Sequence, residues 1–369
     1  MLVHRLSRYA TRFHIGRFLL QPSSPLQAAL SAYLPWAYKS GVTYVLRQEE
    51  HDLARAGFVQ WQLHPGRTEA DLLLLSPALD APDGHPAIWH KLLAGSALFL
   101  ADQQVRRLYS ELSDQPLLVN TFLQAGFHLY ARETIWRLVS GSPPFPAPDG
   151  AALRPQTDQD RWGLEQLYAR ITPAPVRQAE AVDGEGDGQG EQFKPPILTN
   201  RHLRQPVSSF VLDGADGLDG CVQIIWGRMA VRLRVWVDSN NPDTSQVHLL
   251  IRYGLHCVRE AGARGPIYMS VRDYQGGLSS ALLEYGFAPF TDRVRMMRPI
   301  WQRAKVAVEN RLSSLETVAE AMPGSLVLPQ ATSESRGSVE LLNPWVRTIR
   351  DGTEKIGSVQ RSSDQHRNL

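Results

Sequence analysis

The chain has 369 residues, 43% of them hydrophobic and 21% charged, with a formal net charge of +2. These values are ordinary for a globular protein of about two domains. The balanced charge argues against a dedicated nucleic-acid-binding protein, and no apolar run approaches the ~20 residues that span a membrane. Two cysteines, Cys221 and Cys257, cannot form a disulfide framework. Both lie in apolar patterns that are typical of a protein core. Because a chain without a disulfide framework suits a reducing compartment, we expect a cytoplasmic protein.

The N-terminal segment is basic, because no acidic residue precedes Glu49 and arginines interrupt an apolar series at Arg5, Arg8, Arg12 and Arg17. This pattern is typical of a basic first strand or helix of the fold. It also fits an organelle targeting segment. We favour the first interpretation, and the sequence leaves both open.

The first half of the chain mixes helical and strand patterns. Apolar spacing of the helical period predicts helices over residues 26–38, 88–100 and 117–125. Shorter apolar or alternating runs predict strands over residues 43–46, 56–63, 70–75, 106–112 and 130–138. A proline-rich linker follows over residues 140–152.

The second half repeats this order. We predict helices over residues 160–171, 247–261 and 278–285 and strands over residues 208–212, 220–226, 228–237, 266–271 and 294–298. Residues 180–192 are acidic and glycine-rich, which predicts a mobile loop. Helical spacing returns over residues 304–321. The stretch over residues 330–369 is expected to be mostly disordered, with a short helix near Trp345.

Two stretches of the chain share one pattern. Ser110, Gln115 and Gly126-Phe127 recur as Ser270, Gln275 and Gly286-Phe287, at a constant offset of 160 residues (270 − 110 and 286 − 126). Upstream, Gly57-Phe-Val-Gln recurs as Gly220-Cys-Val-Gln at an offset of 163. A period near 160 residues suits a duplicated domain. We therefore predict two units, residues 1–139 and 153–303, followed by a tail over residues 304–369. Residues 153–300 are expected to fold alone.

This order of elements, with a helix ending in Gly-Phe before the last strand, resembles the GNAT superfamily of N-acetyltransferases. The fourth helix of that family commonly reads Asn-x-x-Ala-x-x-x-Tyr-x-x-x-Gly-Phe. Gln115 and Gln275 stand at the Asn position here, and both Gly-Phe pairs match. The resemblance covers roughly residues 40–138 and 153–300. It implies an α/β fold class with mixed sheets, in two tandem GNAT-like acyl-CoA N-acyltransferase folds.

The resemblance also implies a V-shaped gap between two parallel strands that takes acetyl-CoA or another acyl-CoA. In the second unit it assigns cofactor binding to Val235, Trp236, Val237, Asp243, Thr244, Ser245 and Gln275. The glycine-rich phosphate signature of the family is replaced by residues 237–245, which lack glycine. In the first unit, the corresponding residues 80–88 contain a single glycine, Gly84. An ordinary capped helix start is the alternative at both places.

Catalysis in the family usually needs a tyrosine that protonates the CoA thiolate. Phe122 and Leu282 stand at that position here, so Tyr285 is the catalytic candidate, and Tyr274 also lies nearby in sequence. A packing role is the alternative for both tyrosines. Arg228, Arg232 and Arg234 are expected on an exposed strand pair, either solvated or facing an anion such as the 3′-phosphate of CoA.

The sequence thus favours an N-acyltransferase that acts on an unidentified small-molecule or peptide amine, with a non-catalytic first unit. The alternative is an inactive tandem scaffold that senses a ligand or binds a protein. We expect no metal, nucleic acid or membrane partner. A protein partner could bind through the C-terminal tail.

Overall fold

The computed structural model describes residues 9–13, 19–20, 41–46, 56–64, 68–139, 153–180, 196, 205–239, 243–300, 338–339 and 346–350. The helices predicted over residues 26–38 and 304–321, the linker 140–152 and most of the acidic loop lie outside these ranges. No helix among the described residues is long and apolar enough to cross a membrane.

The first half follows the predicted order of elements, with one addition at its start. It contains β1 (Thr11–Arg12), β2 (Gly41–Leu46), β3 (Gly57–Leu63), β4 (Glu69–Ser76), α1 (Pro86–Asp102), β5 (Arg107–Ser113), α2 (Pro116–Gln124) and β6 (His128–Leu138). A proline at the first helical position starts α1 and α2. Gly126, at φ 82°, turns the chain out of α2 in the left-handed conformation, which explains the Gly in its Gly-Phe ending.

The second half repeats this series behind a longer helical start. It contains β7 (Leu153–Pro155), α3 (Arg161–Ile171), α4 (Ala174–Ala179), β8 (Val207–Gly214), β9 (Gly217–Trp226), β10 (Val231–Val237), α5 (Ser245–Glu260), β11 (Ile267–Arg272), α6 (Gly276–Glu284) and β12 (Ala288–Pro299). Gly286, at φ 79°, ends α6 as Gly126 ends α2. The predicted boundaries agree with these elements to within about three residues, except that β12 begins six residues before the predicted position 294. β7 and α4 were not predicted.

The tail contributes two strands, β13 (Ser338–Val339) and β14 (Val346–Arg350). β14 pairs with β2 in parallel, at the edge of the sheet. The expectation of a mostly disordered tail with a helix near Trp345 is therefore wrong for residues 346–350. The β-branched residues of β14 suit a strand once an unpaired sheet edge is available.

One sheet runs through both halves in the order β13-β14-β2-β3-β4-β5-β12-β6-β11-β10-β9-β8-β7. Its centre is an exchange of strands. The last strand of the second half, β12, pairs with β5 of the first half, and the last strand of the first half, β6, pairs with β11 of the second. β12 and β6 also pair with each other, so each half completes its sheet with a strand from the other.

The exchange is symmetric about the middle of the sheet. Glu133 and Arg293 occupy equivalent positions of the repeat (293 − 133 = 160) and lie directly opposite each other in the β6–β12 ladder. The chain thus has a pseudo-two-fold axis at this pair, the arrangement of a dimer whose two copies are fused.

Helices α1, α2, α5 and α6 cover one face of the sheet, which we call the helical face. Val294 of β12 packs in the core with α1 and α2, and Trp136 of β6 packs in the core with α5 and α6. Strand alternation places both side chains on the same face. In the second half, α3 covers the opposite face, where Tyr168 packs against Trp236.

Candidate functional site

Two neighbouring parallel strands diverge in each half of the sheet. β4 and β5 pair only from Glu69↔Arg107 to Asp71↔Tyr109. β10 and β11 pair only from Val231↔Ile267 to Leu233↔Met269. Beyond these three positions the strands of each pair lose their register, which gives two V-shaped openings. We call them the first cleft (β4/β5) and the second cleft (β10/β11).

The two clefts differ in what lies inside them. In the first, β1 pairs with the outer part of β4, at Thr11↔Leu75 and Arg12↔Leu74. In the second, residues 235–237 pair with β9 on one edge of β10. No segment in the described part of the chain pairs with the other edge of residues 235–237. Of the two clefts, only the second therefore offers a strand edge that no described segment occupies.

The side chains of the three predicted residues on β10 are buried and turned away from that edge. Val235 and Val237 belong to the core under α5 and α6. Trp236 lies on the opposite face, where its ring centroid is 5.7 Å from that of Tyr168. These residues can hold a ligand in the cleft only through their backbone N–H and C=O groups.

The mouth of the second cleft is narrowed by the start of α6. A Cβ atom built on Gly277 would lie 2.0 Å from the carbonyl oxygen of Ser239, so this helix abuts the end of β10 at a distance only glycine permits. The side-chain oxygen of Gln275 accepts a hydrogen bond from the backbone N–H of Arg272 (3.1 Å). Gln275 thus lies at the cleft, where its amide completes the end of β11, and its role in cofactor binding stays a prediction.

The N-terminus of α5 is expected to hold the diphosphate of CoA, but its first turn is already engaged. The carboxylate of Asp243 accepts a hydrogen bond from the backbone N–H of Ser245 (2.9 Å), which lowers the pKa of Asp243. Thr244 makes no side-chain capping bond. A carboxylate on the helix N-terminus takes the place of an anion and repels phosphate. These residues do not fit a diphosphate.

The equivalent helix start in the first half fits no better. His85 accepts a hydrogen bond from the backbone N–H of Ala87 through Nδ1 (3.1 Å), and Pro86 has no N–H to donate. The alternative of an ordinary capped helix start therefore describes both halves.

A buried polar cluster lies at the carboxyl end of β11, beside the second cleft. It consists of the buried residues Tyr168, Glu180 and Arg272 and the half-buried Tyr274, and we call it the Glu180 cluster. Arg272 makes a bidentate ion pair with Glu180 (2.6 and 3.3 Å) and donates to the hydroxyl oxygen of Tyr274 (2.8 Å). Tyr168 donates its hydroxyl proton to Glu180.

Burial and charge set the protonation of this cluster. Burial favours the neutral acid of Glu180, but the Arg272 guanidinium outweighs it and lowers the pKa of Glu180. Burial raises the pKa of Tyr274 despite the nearby cation. At neutral pH the cluster therefore contains a carboxylate, a guanidinium and protonated phenols. The first half helps to position it, because the hydroxyl of Tyr109 donates to the carbonyl of Ala179, next to Glu180 (2.7 Å).

Tyr285 lies elsewhere, at the end of α6 on the helical face. Its hydroxyl is 3.0 Å from Nδ1 of His248 on α5, and burial raises its pKa. Strand alternation separates it from the Glu180 cluster on the opposite face. Its catalytic role stays a prediction.

Arg228 is exposed, as expected, but Arg232 is buried and Arg234 half-buried, so the expectation of an exposed strand pair is wrong for these two residues of β10. Arg232 is 8% exposed, donates to Ser270 Oγ (2.6 Å), and has its pKa lowered by burial. Burial also lowers the pKa of Arg234, to about 9. The reason is that β10 lies between β9 and β11 inside the sheet, with Glu133 and Glu111 of the first half as nearby opposite charges for Arg232. As expected, Cys221 is buried, whereas Cys257 is only half-buried.

Sequence reasoning missed the Glu180 cluster. Glu180 opens the acidic, glycine-rich segment, where a carboxylate resembles any other loop charge. Arg272 follows directly on the apolar strand predicted over residues 266–271, and a charge at the end of a buried strand was the available signal.

A scan against protein-family models gives no match, and a search of curated proteins finds none either. Solved structures are similar in fold. A GCN5-related N-acetyltransferase from Sphaerobacter thermophilus has 10% identity and a TM-score of 0.42, over 67% of this chain and 78% of that one. A tandem GNAT protein from the clavulanic acid biosynthesis pathway has 13% identity and a TM-score of 0.42, over 74% and 87%.

A GCN5-related N-acetyltransferase from Kribbella flavida has 14% identity and a TM-score of 0.41, over 75% of this chain and 96% of that one. At such low sequence identities, the similarity is one of backbone path and does not extend to the residues of a site. The chain itself has a helix ending in Gly-Phe and a splayed parallel strand pair in each half. The chain consists of two tandem α/β halves that exchange their last strands.

Proposed function

We propose that the chain is an acyltransferase that takes its acyl group from an acyl-CoA in the second cleft and passes it to an amine. The observation that carries this proposal is the unpaired edge of residues 235–237 on β10. Buried backbone N–H and C=O groups require partners, so this edge favours a ligand that brings its own amides.

The pantetheine arm of an acyl-CoA is such a ligand, because it is extended and contains two amide groups. It would add to the edge of β10 as a peptide adds to a sheet. An acyl-CoA supplies a thioester, from which an amine can displace a thiol. The residues of the chain then have to orient the reactants and move protons.

Tyr274 is our candidate for the proton donor to the leaving thiolate. Its raised pKa keeps the phenol protonated at neutral pH, and the hydrogen bond from Arg272 to its oxygen fixes its orientation. Glu180 holds Arg272 in place through two contacts. A positioned phenol of this kind typically contributes about 10²–10⁴-fold to a rate.

The start of α5 does not suit the diphosphate of the donor, because the Asp243 carboxylate already accepts a hydrogen bond from the first turn of this helix. We therefore assign the pantetheine arm alone to described residues of the second cleft. The amine acceptor, whether a small molecule or a peptide, stays open.

The test is to titrate the full chain with acetyl-CoA and to follow thiol release with a panel of small amines and peptides. We expect saturable binding at one site. Tyr274→Phe should leave the dissociation constant unchanged and slow thiol release by about 100-fold. Tyr285→Phe is the matched control and should change neither. Loss of activity in Tyr285→Phe but not in Tyr274→Phe would return the catalytic role to Tyr285.

The second candidate function is the inactive tandem scaffold. Two observations favour it, the occupied first cleft and the carboxylate at the start of α5. It predicts no binding of acetyl-CoA at millimolar concentration and no thiol release with any amine of the panel.

A further inference from the structure

The first cleft contains a strand of the chain itself. A strand has two edges, and β3 occupies one edge of β4 from Ala70 to Ser76. β5 uses the other edge at residues 69–71, and β1 pairs at Leu74 and Leu75. β1 must therefore lie on the β5 side, in the opening where β5 has diverged.

Backbone hydrogen bonds extend this pairing over the whole of residues 9–13. The N–H of Phe13 donates to the carbonyl of Leu73 (3.0 Å), and the N–H of Ala78 donates to the carbonyl of Tyr9 (2.6 Å). The segment thus runs along β4 from the point of divergence to beyond its end. The segment therefore pairs with the edge of β4 that faces the first cleft. The equivalent edge of β10 in the second cleft has no partner among the described residues.

An aromatic anchor fixes the segment in the cleft. Phe13 is 1% exposed, and its ring centroid lies 6.0 Å from that of Trp89 and 5.7 Å from that of Phe122. Tyr9, at the other end of the segment, is 57% exposed. Burial of an aromatic ring removes a large apolar area from water, so we expect Phe13 to make the largest side-chain contribution to holding the segment.

We propose that the first cleft is a binding site for an extended polypeptide strand that ends in an aromatic residue, and that residues 9–13 occupy it in place of an acyl-CoA. The exclusion of a donor rests on the proposed function, whereas the strand site itself does not. It follows that the chain has one donor cleft, the second, while the first unit contributes β6 and the contact of Tyr109 beside Glu180.

Cross-linking tests the placement of the segment in the full chain. Phe13 and Leu73 form a hydrogen-bonded pair, so the next pair, Arg12↔Leu74, is of the close, non-hydrogen-bonded type that suits a disulfide. The variant Arg12→Cys with Leu74→Cys should form a disulfide under mild oxidation. The control Tyr9→Cys with Leu74→Cys should not, because these positions are not opposite. Equal cross-linking of both variants, or of neither, would overturn the placement.

Hydrogen exchange tests the site as a strand receptor. We expect slow amide exchange over residues 72–78 in the unmodified chain. Phe13→Ala should accelerate it about tenfold, because the anchor of the strand is lost, while the matched change Tyr9→Ala should leave it unchanged. A synthetic peptide of residues 7–15 should restore protection to the Phe13→Ala chain, and the same peptide with Phe13→Ala should not.

The same variant separates the two kinds of ligand. Protection of residues 72–78 by acetyl-CoA but not by the peptide would make the first cleft a donor site and overturn the proposal. Rapid exchange of these amides in the unmodified chain would also overturn it. A failure of acetyl-CoA to bind anywhere would contradict the proposed function and leave the peptide result to stand on its own.

Discussion

At the scale of single residues, the molecule is organised by charges buried where its halves meet. Arg295 of β12 contacts Glu133 of β6 at 2.8 and 3.1 Å, and Arg293 lies 3.6 Å from Glu111 of β5. Each of these pairs joins a strand of one half to a strand of the other. A buried charge without its partner is strongly destabilising, so these pairs fix which strands lie together.

Glu133 should make the stability of the protein depend on acid. Burial raises its pKa, but Arg295 outweighs burial and lowers the pKa from 4.5 to about 2. A carboxyl whose pKa is lower in the folded state stabilises it above the unfolded pKa. That stabilisation is lost as the pH falls from about 4.5 towards 2. Chemical denaturation at several pH values in this range should show that the free energy of unfolding decreases as the pH is lowered.

Glu133→Gln should lower the unfolding free energy at pH 7 by about 3 kcal/mol and flatten its decline below pH 4.5. The control is Glu165→Gln, because Glu165 pairs with Arg161 on the surface at 3.3 Å. We expect a change below about 0.5 kcal/mol for it. Equal effects of the two substitutions would show that the buried pair has no special role.

At the scale of elements, the start of α6 decides how open the second cleft is. Gly276 and Gly277 are adjacent, yet their surroundings differ. A Cβ atom on Gly277 would meet the Ser239 carbonyl, whereas one on Gly276 would meet nothing within 4 Å. Only the second glycine is required by the close approach of the helix to the end of β10.

Gly277→Ala should therefore destabilise the fold by about 2 kcal/mol or displace α6 from the cleft. Gly276→Ala is the matched control. It should be neutral or stabilising by about 0.5 kcal/mol, because alanine loses less conformational freedom in a helix. Thermal unfolding of the two variants checks this. Equal melting temperatures would contradict the contact between α6 and Ser239.

The sequence predicted elements well where local periodicity decides them. The left-handed glycines 126 and 286 and the apolar face of α5 each follow from a few neighbouring residues. Arg232 and Arg234 were misjudged because alternation with valine and leucine is the same for a solvated face and for a face buried against distant charges. Two-residue β1 gives no periodic signal at all.

The candidate site was predictable in outline only. The backbone of residues 235–237 lies along the second cleft and Gln275 lies at its mouth, and their binding of a ligand stays a prediction. The Glu180 cluster was out of reach, because it joins residues 92 positions apart, Glu180 and Arg272, through a contact that no local pattern encodes.

At the scale of the whole molecule, the exchange of β6 and β12 makes the halves depend on each other. Residues 153–300 alone would lack β6 beside β11, and β12 would lose both of its neighbours. The local sequence of β6 is the same whether it pairs within its own half or across, so the expectation that residues 153–300 fold alone did not take account of this. The strand pairing leads us to expect the opposite, that this fragment does not fold alone.

Cutting the chain should reveal this dependence. With a protease site inserted in residues 140–152, we expect the two cleaved halves to remain together in size-exclusion chromatography. Each half expressed alone should be aggregated or protease-sensitive, and co-expression should restore a soluble complex. A monomeric, cooperatively unfolding fragment of residues 153–300 would show that exchange is not needed for stability.

The exchange also has a consequence for the order of synthesis. β6 ends at Leu138 and β11 begins at Ile267, so roughly 130 residues are translated before the first strand meets its partner. At roughly 5–20 residues per second this takes on the order of ten seconds. During that time the nascent first half has β5 and β6 without the strand that finally separates them. Ribosomes that stop in the linker would therefore release a product in which β5 and β6 lack their partners from the second half, and such open strand edges are prone to aggregate.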